Sequence, residues 1–160
     1  DEVTLEKTRH MSLIASGKRD HEGHQLRHRL VQHVQQAQLD VDILGRGYAP
    51  FDRKSEGLAP YRFFVVIENV REPNYFSEKL VDAILCETVP IYWGCPNIAD
   101  FINTKGMVIC DTQDDVQRAI AAASLAQYDA LVPALLDAKP QAVSFIDLEL
   151  RAAETLKASL

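Results

Sequence analysis

Two segments of this chain look buried along their whole length. Arg62–Ile67 (RFFVVI) is rich in β-branched and aromatic residues, and Val89–Trp93 (VPIYW) is apolar at every position. A strand with no polar face must be covered on both sides, which is the condition of a parallel sheet flanked by helices. Between them, Phe76–Glu87 has helical character, with Ser77 or the residue before it as cap. Strand, helix and strand in that order imply a right-handed crossover.

The alternation continues on both sides. Met11–Ser16 (MSLIAS) is predicted as the first strand and Gly17–Gly23 as a loop. Leu26, Leu30, Val31 and Val34 fall at helical spacing, which predicts a helix over about His24–Gln38. Val41–Leu44 (VDIL) is a second strand, stopped by Gly45-Arg46-Gly47. Tyr48–Pro60, with Pro50, Gly57 and Pro60, reads as a loop with one helical turn. Asn97–Ile102 is a short helix and Met107–Cys110 a further strand, with Asp111 or Thr112 capping the helix after it. From Thr112 the composition turns rich in Ala, Leu and Gln, and Pro133 and Pro140 are expected to divide the helices there. The pattern predicts one domain over residues 1–160: α/β, Rossmann-like, a mainly parallel sheet with helices on both faces and a helical C-terminal part from about 112.

Bulk charge narrows the partners. A net charge of −6 argues against non-specific binding to nucleic acid or anionic membranes. The three cysteines, Cys86, Cys95 and Cys110, form no CxxC pair and fit a reducing compartment better than a disulfide scaffold. No apolar run approaches the length needed to span a bilayer, and the charged start DEVTLEKTRH is no signal peptide. The expectation is a cytoplasmic protein, or one peripheral to a membrane. The same charged start reads like a cut into mid-protein, so an upstream portion is also expected.

In an open α/β sheet, ligands bind beyond the carboxyl ends of the strands. The Ser16–Gly23 loop, the Gly45-Arg46-Gly47 turn and the Glu68–Tyr75 loop should meet there, with Gly94-Cys95-Pro96 as a fourth candidate. Lys79 sits in the first turn of its helix, where a cation opposes the helix dipole and some anion should offset it. That anion is either Glu78 or Asp82, or a phosphate. Arg27 is either a solvated surface residue or the second half of a two-cation clamp on a diphosphate. Glu68 and Asn69 end a buried strand, as a cap or turn or as recognition groups for hydroxyls. Tyr75 is core filler or a ring against a sugar face, and Trp93 is core. His21, His24 and His28 have a spacing that permits a metal, but no HExxH or acid partner accompanies them. Gly45-Arg46-Gly47 is a fragment of a glycine-rich turn. The sequence has no GxSxG, no Walker lysine loop and no zinc motif.

The stretch FFVVIENVREPNYFSEKLVDAILCETVPIYWG closely resembles the signature of the α-1,3/4-fucosyltransferase family. The shared pattern is an aromatic-apolar strand, Glu-Asn, a short loop, Tyr, two residues, Glu-Lys, an apolar helix and a Val-Pro strand ending in Gly. The GRG turn, the EGLAPYRF lead-in and PNIADFI also resemble that family, over roughly Ser12 to Gln117. Two positions depart from the pattern: Val70 where Ser or Thr is usual, and Ser77 where Thr is usual.

The resemblance implies the C-terminal, donor-binding half of a GT-B glycosyltransferase. It implies an inverting enzyme that moves fucose from GDP-fucose to a glycan hydroxyl. Arg27 and Lys79 would stabilise the leaving diphosphate, Glu78 would hold ribose hydroxyls, and Asn69, Tyr75 and Gly45 would contact the donor. Glu68 would lie near the fucose and stabilise its oxocarbenium character. No metal or other cofactor is implied. The general base and the acceptor site would belong to an N-terminal domain absent from these residues, so the isolated chain could bind nucleotide and turn nothing over. Two other readings are transfer from another sugar nucleotide and a non-catalytic nucleotide-binding or interaction module. A flavodoxin- or receiver-like module would need an acidic cluster or phosphate loop after the first strand, and Ser16-Gly17-Lys18-Arg19 supplies neither.

Overall fold

The structure, a computed structural model, describes residues 5–46, 48–49 and 51–159, with the backbone alone for 147–155. Its elements are β1 (Arg9–Ile14), α1 (Glu22–Gln36), β2 (Asp42–Leu44), β3 (Tyr61–Ile67), α2 (Glu78–Leu85), β4 (Val89–Trp93), β5 (Val108–Cys110), α3 (Gln113–Ala122) and α4 (Leu125–Ser159). Short 3-10 turns at Lys54–Gly57 and Ile98–Asp100 fill two of the connections.

All described strand pairs are parallel, in the order β2-β1-β3-β4-β5. From β1 the chain crosses outward to β2, then returns past β1 to β3 and proceeds the other way. The order therefore reverses between β1 and β3, which is where an open sheet leaves a crevice at its carboxyl edge. Pro90 lies in β4 opposite Phe64, ahead of Ile91, the first residue paired to β5. A residue without an N–H is tolerated there because the ladder on that side has not begun.

α1 packs with α3, and α2 packs with α4. Leu26, Leu30, Val31 and Val34 of α1 and Leu80, Val81 and Ile84 of α2 are buried on the core formed with Leu13, Phe63, Val66 and Ile91. Each such side chain contributes about 1.5–3 kcal/mol by leaving water. α2 is capped by Ser77, whose side chain accepts from the Lys79 amide.

The prolines behave differently from expectation. Pro133 and Pro140 lie inside α4, which runs on through both. They are seven residues apart, two turns, so they share a face, and both are exposed. The carbonyls that lose their partners therefore meet water, while Leu135, Ala138 and Ala142 bury the opposite face. Packing outweighs the local penalty. No single helix among the described residues is long and apolar enough to cross a membrane.

Candidate functional site

A cleft of ≈ 270 Å³ opens at the carboxyl ends of β1 and β3. Ser16, Lys18, His24 and Arg27 line it from the β1–α1 side, Asn69 from the end of β3, and Glu78, Lys79 and Asp82 from α2. Phe51, Lys54 and Leu58, from the β2–β3 connection, form a further wall.

The start of α1 is held against the end of β3 at the closest range a backbone allows. The Gly23 amide donates to the Asn69 carbonyl at 2.7 Å, and a Cβ on Gly23 would lie 1.7 Å from the Glu68 carbonyl oxygen. Only glycine fits. One turn further on, Arg27 is 7% exposed. Its Nε and Nη2 donate to the Ile67 carbonyl (3.1 and 2.5 Å), and Nη2 also donates to Asn69 Oδ1 (2.9 Å). The guanidinium thus closes off the end of β3 with two of its nitrogens. Nη1 makes no hydrogen bond to a described residue, and the side chain lines the cleft.

The Glu68 carboxylate holds the start of α2. It is fully buried. Its Oε2 accepts from the Ser77 amide (2.5 Å), and its Oε1 accepts from the Ser77 hydroxyl (2.6 Å). The Tyr92 hydroxyl lies 3.5 Å from Oε2 and accepts from the Cys95 amide (3.1 Å). Burial pushes the Glu68 carboxyl up, while the Ser77 bonds and the nearby Lys79 charge oppose that. Glu68 is not among the residues lining the cleft; it fixes the N-cap of α2 from beneath. Gly94 makes room for it, since a Cβ there would lie 2.4 Å from Glu68 Cγ. The Gly94-Cys95-Pro96 turn therefore supports the site from behind.

Lys79 is half-buried and forms no ion pair among the described residues. The carboxylates one would pair with it, Glu78 and Asp82, lie against Lys54 instead (3.5 and 3.7 Å). Burial lowers the Lys79 pKa, the Arg27 charge lowers it further, and Glu68 and Glu78 act the other way. The two cations are thus near enough to repel, and an anion between them would relieve both. Without one, the folded chain binds fewer protons than the unfolded chain over a window below the ordinary 10.5. Stability in the absence of ligand therefore rises with pH through that window.

The other candidates fall in different places. Asn69 lines the cleft, with Oδ1 occupied by Arg27. Tyr75 is partly exposed and not among the lining residues. Burial, with Glu68 and Glu78 nearby, raises its hydroxyl pKa. Gly45 does not line the cleft either; at φ +112°, a Cβ there would lie 2.1 Å from the Ala15 carbonyl oxygen. Its glycine is required by the backbone. Gly47 lies outside the described residues. Trp93 is core, 3% exposed. His28 Nε2 lies 3.0 Å from the Lys18 carbonyl. Lys54 and Phe51 had no signal in the sequence beyond their residue types, since they sit in an irregular connection.

The family model of the C-terminal part of glycosyltransferase family 10 (fucosyltransferase) matches residues 4–129. The α-(1,3)-fucosyltransferase FucT of Helicobacter pylori is 42% identical over 55 residues, which cover 34% of this chain and 12% of that protein. The human 3-galactosyl-N-acetylglucosaminide 4-α-L-fucosyltransferase FUT3 is 37% identical over 62 residues, covering 37% of this chain and 17% of that protein. A crystal structure of an α1,3-fucosyltransferase with GDP superposes with a TM-score of 0.64 at 25% identity, over 80% of this chain and 38% of that one. The structure with GDP-fucose gives a TM-score of 0.63, also at 25% identity, over 80% of this chain and 39% of that one. With a matching sheet, a matching signature and a family model spanning most of its length, this chain belongs to the glycosyltransferase family 10 fucosyltransferases, in their C-terminal part.

Proposed function

We propose that this domain binds GDP-fucose and serves as the donor half of an inverting fucosyltransferase of the GT-B type. The observation that carries the reading is that Arg27, from α1, and Lys79, from α2, line one cleft at the reversal point of the sheet. The sugar–phosphate bond breaks with its electron pair moving to the diphosphate. Fixed cations and the amide-rich start of α2 stabilise that developing charge more than they stabilise the ground state. Glu78, at the first position of α2, is placed to accept from ribose hydroxyls once its carboxylate leaves Lys54. Glu68 acts through Ser77, holding the helix end in register, rather than by touching the sugar. The acceptor hydroxyl and the base that takes its proton belong, in this reading, to a part of the enzyme outside these residues.

Calorimetry with GDP, UDP and AMP tests the reading. GDP is expected to bind selectively, and Lys79→Ala to weaken it about 10- to 150-fold, the loss of one charge-assisted contact. Preference for UDP would replace the donor assignment, and no response to any nucleotide would sink it.

The depressed pKa of Lys79 adds a pH signature. A bound diphosphate favours the ammonium form, so binding takes up a proton where free Lys79 is partly neutral. GDP affinity should then fall as pH rises, beginning below the 10.5 of an ordinary lysine. Lys79→Arg, which cannot titrate in this range, should flatten the fall. A slope identical in the two proteins would exclude Lys79 from the contact.

A further inference from the structure

The sequence weighs the histidines at the start of α1 only against a metal, yet the structure gives His24 another setting. It is 5% exposed and lines the cleft three residues before Arg27, on the same helix. Its Nδ1 accepts a hydrogen bond from the His21 backbone amide at 3.2 Å. A backbone amide can only donate, so Nδ1 bears no proton and the neutral ring carries its hydrogen on Nε2. Nε2 makes no hydrogen bond to any described residue. Burial lowers the ring pKa, and the charges of Arg27, His21 and Lys18 lower it further against the opposing pull of Asp20. An N–H on a buried ring that lines the cleft beside Arg27, without an acceptor among the described residues, is set up for an acceptor that arrives from outside.

We infer that the Nε2–H of His24 donates a hydrogen bond to an oxygen of the diphosphate held by Arg27 and Lys79, as a third and uncharged donor. The inference rests on reading the cleft as a GDP site. A neutral donor has a physical advantage at this position. A further cation would add repulsion to a cleft already lined by Arg27, Lys79, Lys18 and Lys54, whereas a tautomer-fixed imidazole adds a directed N–H without charge.

Two substitutions and one spectrum test it. His24→Phe keeps a ring and removes the donor, and His24→Gln places an N–H near the position of Nε2. His24→Phe should weaken GDP about 10-fold or more while leaving guanosine, which lacks phosphate, unchanged. His24→Gln should recover most of the loss. Nitrogen-15 spectra of the histidine rings should show the Nε2–H tautomer, with the Nε2–H signal displaced by GDP. His24→Phe binding GDP as the wild type does, while Lys79→Ala does not, would overturn the His24 assignment and leave the cleft intact. A wild-type chain that ignores GDP would overturn the cleft reading itself. Should His24→Phe fail to fold, the spectrum decides: an Nδ1–H tautomer, or an Nε2–H signal indifferent to GDP, overturns the inference.

Discussion

Gly23→Ala is expected to cost at least ~3 kcal/mol of stability and to abolish nucleotide binding. The added Cβ would lie 1.7 Å from the Glu68 carbonyl oxygen and 2.8 Å from the Asn69 carbonyl oxygen. Both are backbone atoms at the end of a central strand, so neither can swing aside as a flexible side chain could. The start of α1 must lift away instead. That breaks the Gly23 amide bond to Asn69 and carries His24 and Arg27, one turn along, out of the cleft. For a domain of this size, the loss corresponds to a Tm lower by about 6–12 °C. Gly17→Ala is the control, because a Cβ there meets nothing within 4 Å. Thermal unfolding of both variants, with and without GDP, checks the expectation. Equal Tm values and equal GDP shifts would show that close packing of α1 on β3 does not shape the site.

Arg27→Ala should have the second large effect, and it should be visible in two separate measurements. In stability, it strips the Ile67 carbonyl of two donors and Asn69 Oδ1 of one, at about 2–4 kcal/mol. In binding, it removes one of the two cations assigned to the diphosphate, at about 10- to 150-fold in GDP affinity. Arg27→Lys separates the two: the charge stays, but a single ammonium cannot reproduce the planar fork that reaches Ile67 and Asn69 together. It should recover part of the affinity and little of the stability. Full recovery of stability by lysine would mean that the fork geometry is unimportant, and unchanged GDP affinity in Arg27→Ala would remove Arg27 from the site.

The strands were legible in the sequence because β3 and β4 show no polar face, which leaves a chain few ways to bury them. The helix ends were legible where a hydroxyl cap marks them, as at Ser77 and Thr112. α4 was not. Proline rules are local, and the reason α4 continues through Pro133 and Pro140 is its packing against α2, which no window of residues displays. The site divides along the same line. Arg27 and Lys79 stood out by charge and position, and they do line one cleft. The sequence left Glu68 open between two roles, and only coordinates show its carboxylate closed over Ser77. Lys54 reaches Glu78 across 24 positions of chain from an irregular connection, a pairing set entirely by tertiary structure.

A crystal structure of the chain with GDP is the most direct measurement of where the nucleotide lies. The diphosphate is expected between Arg27 Nη1 and Lys79 Nζ, at the start of α2, with the ribose beside Glu78. GDP bound instead in the open groove of ≈ 500 Å³ along edge strand β2, where Arg9 is already paired with Asp42, would contradict the assignment of the cleft.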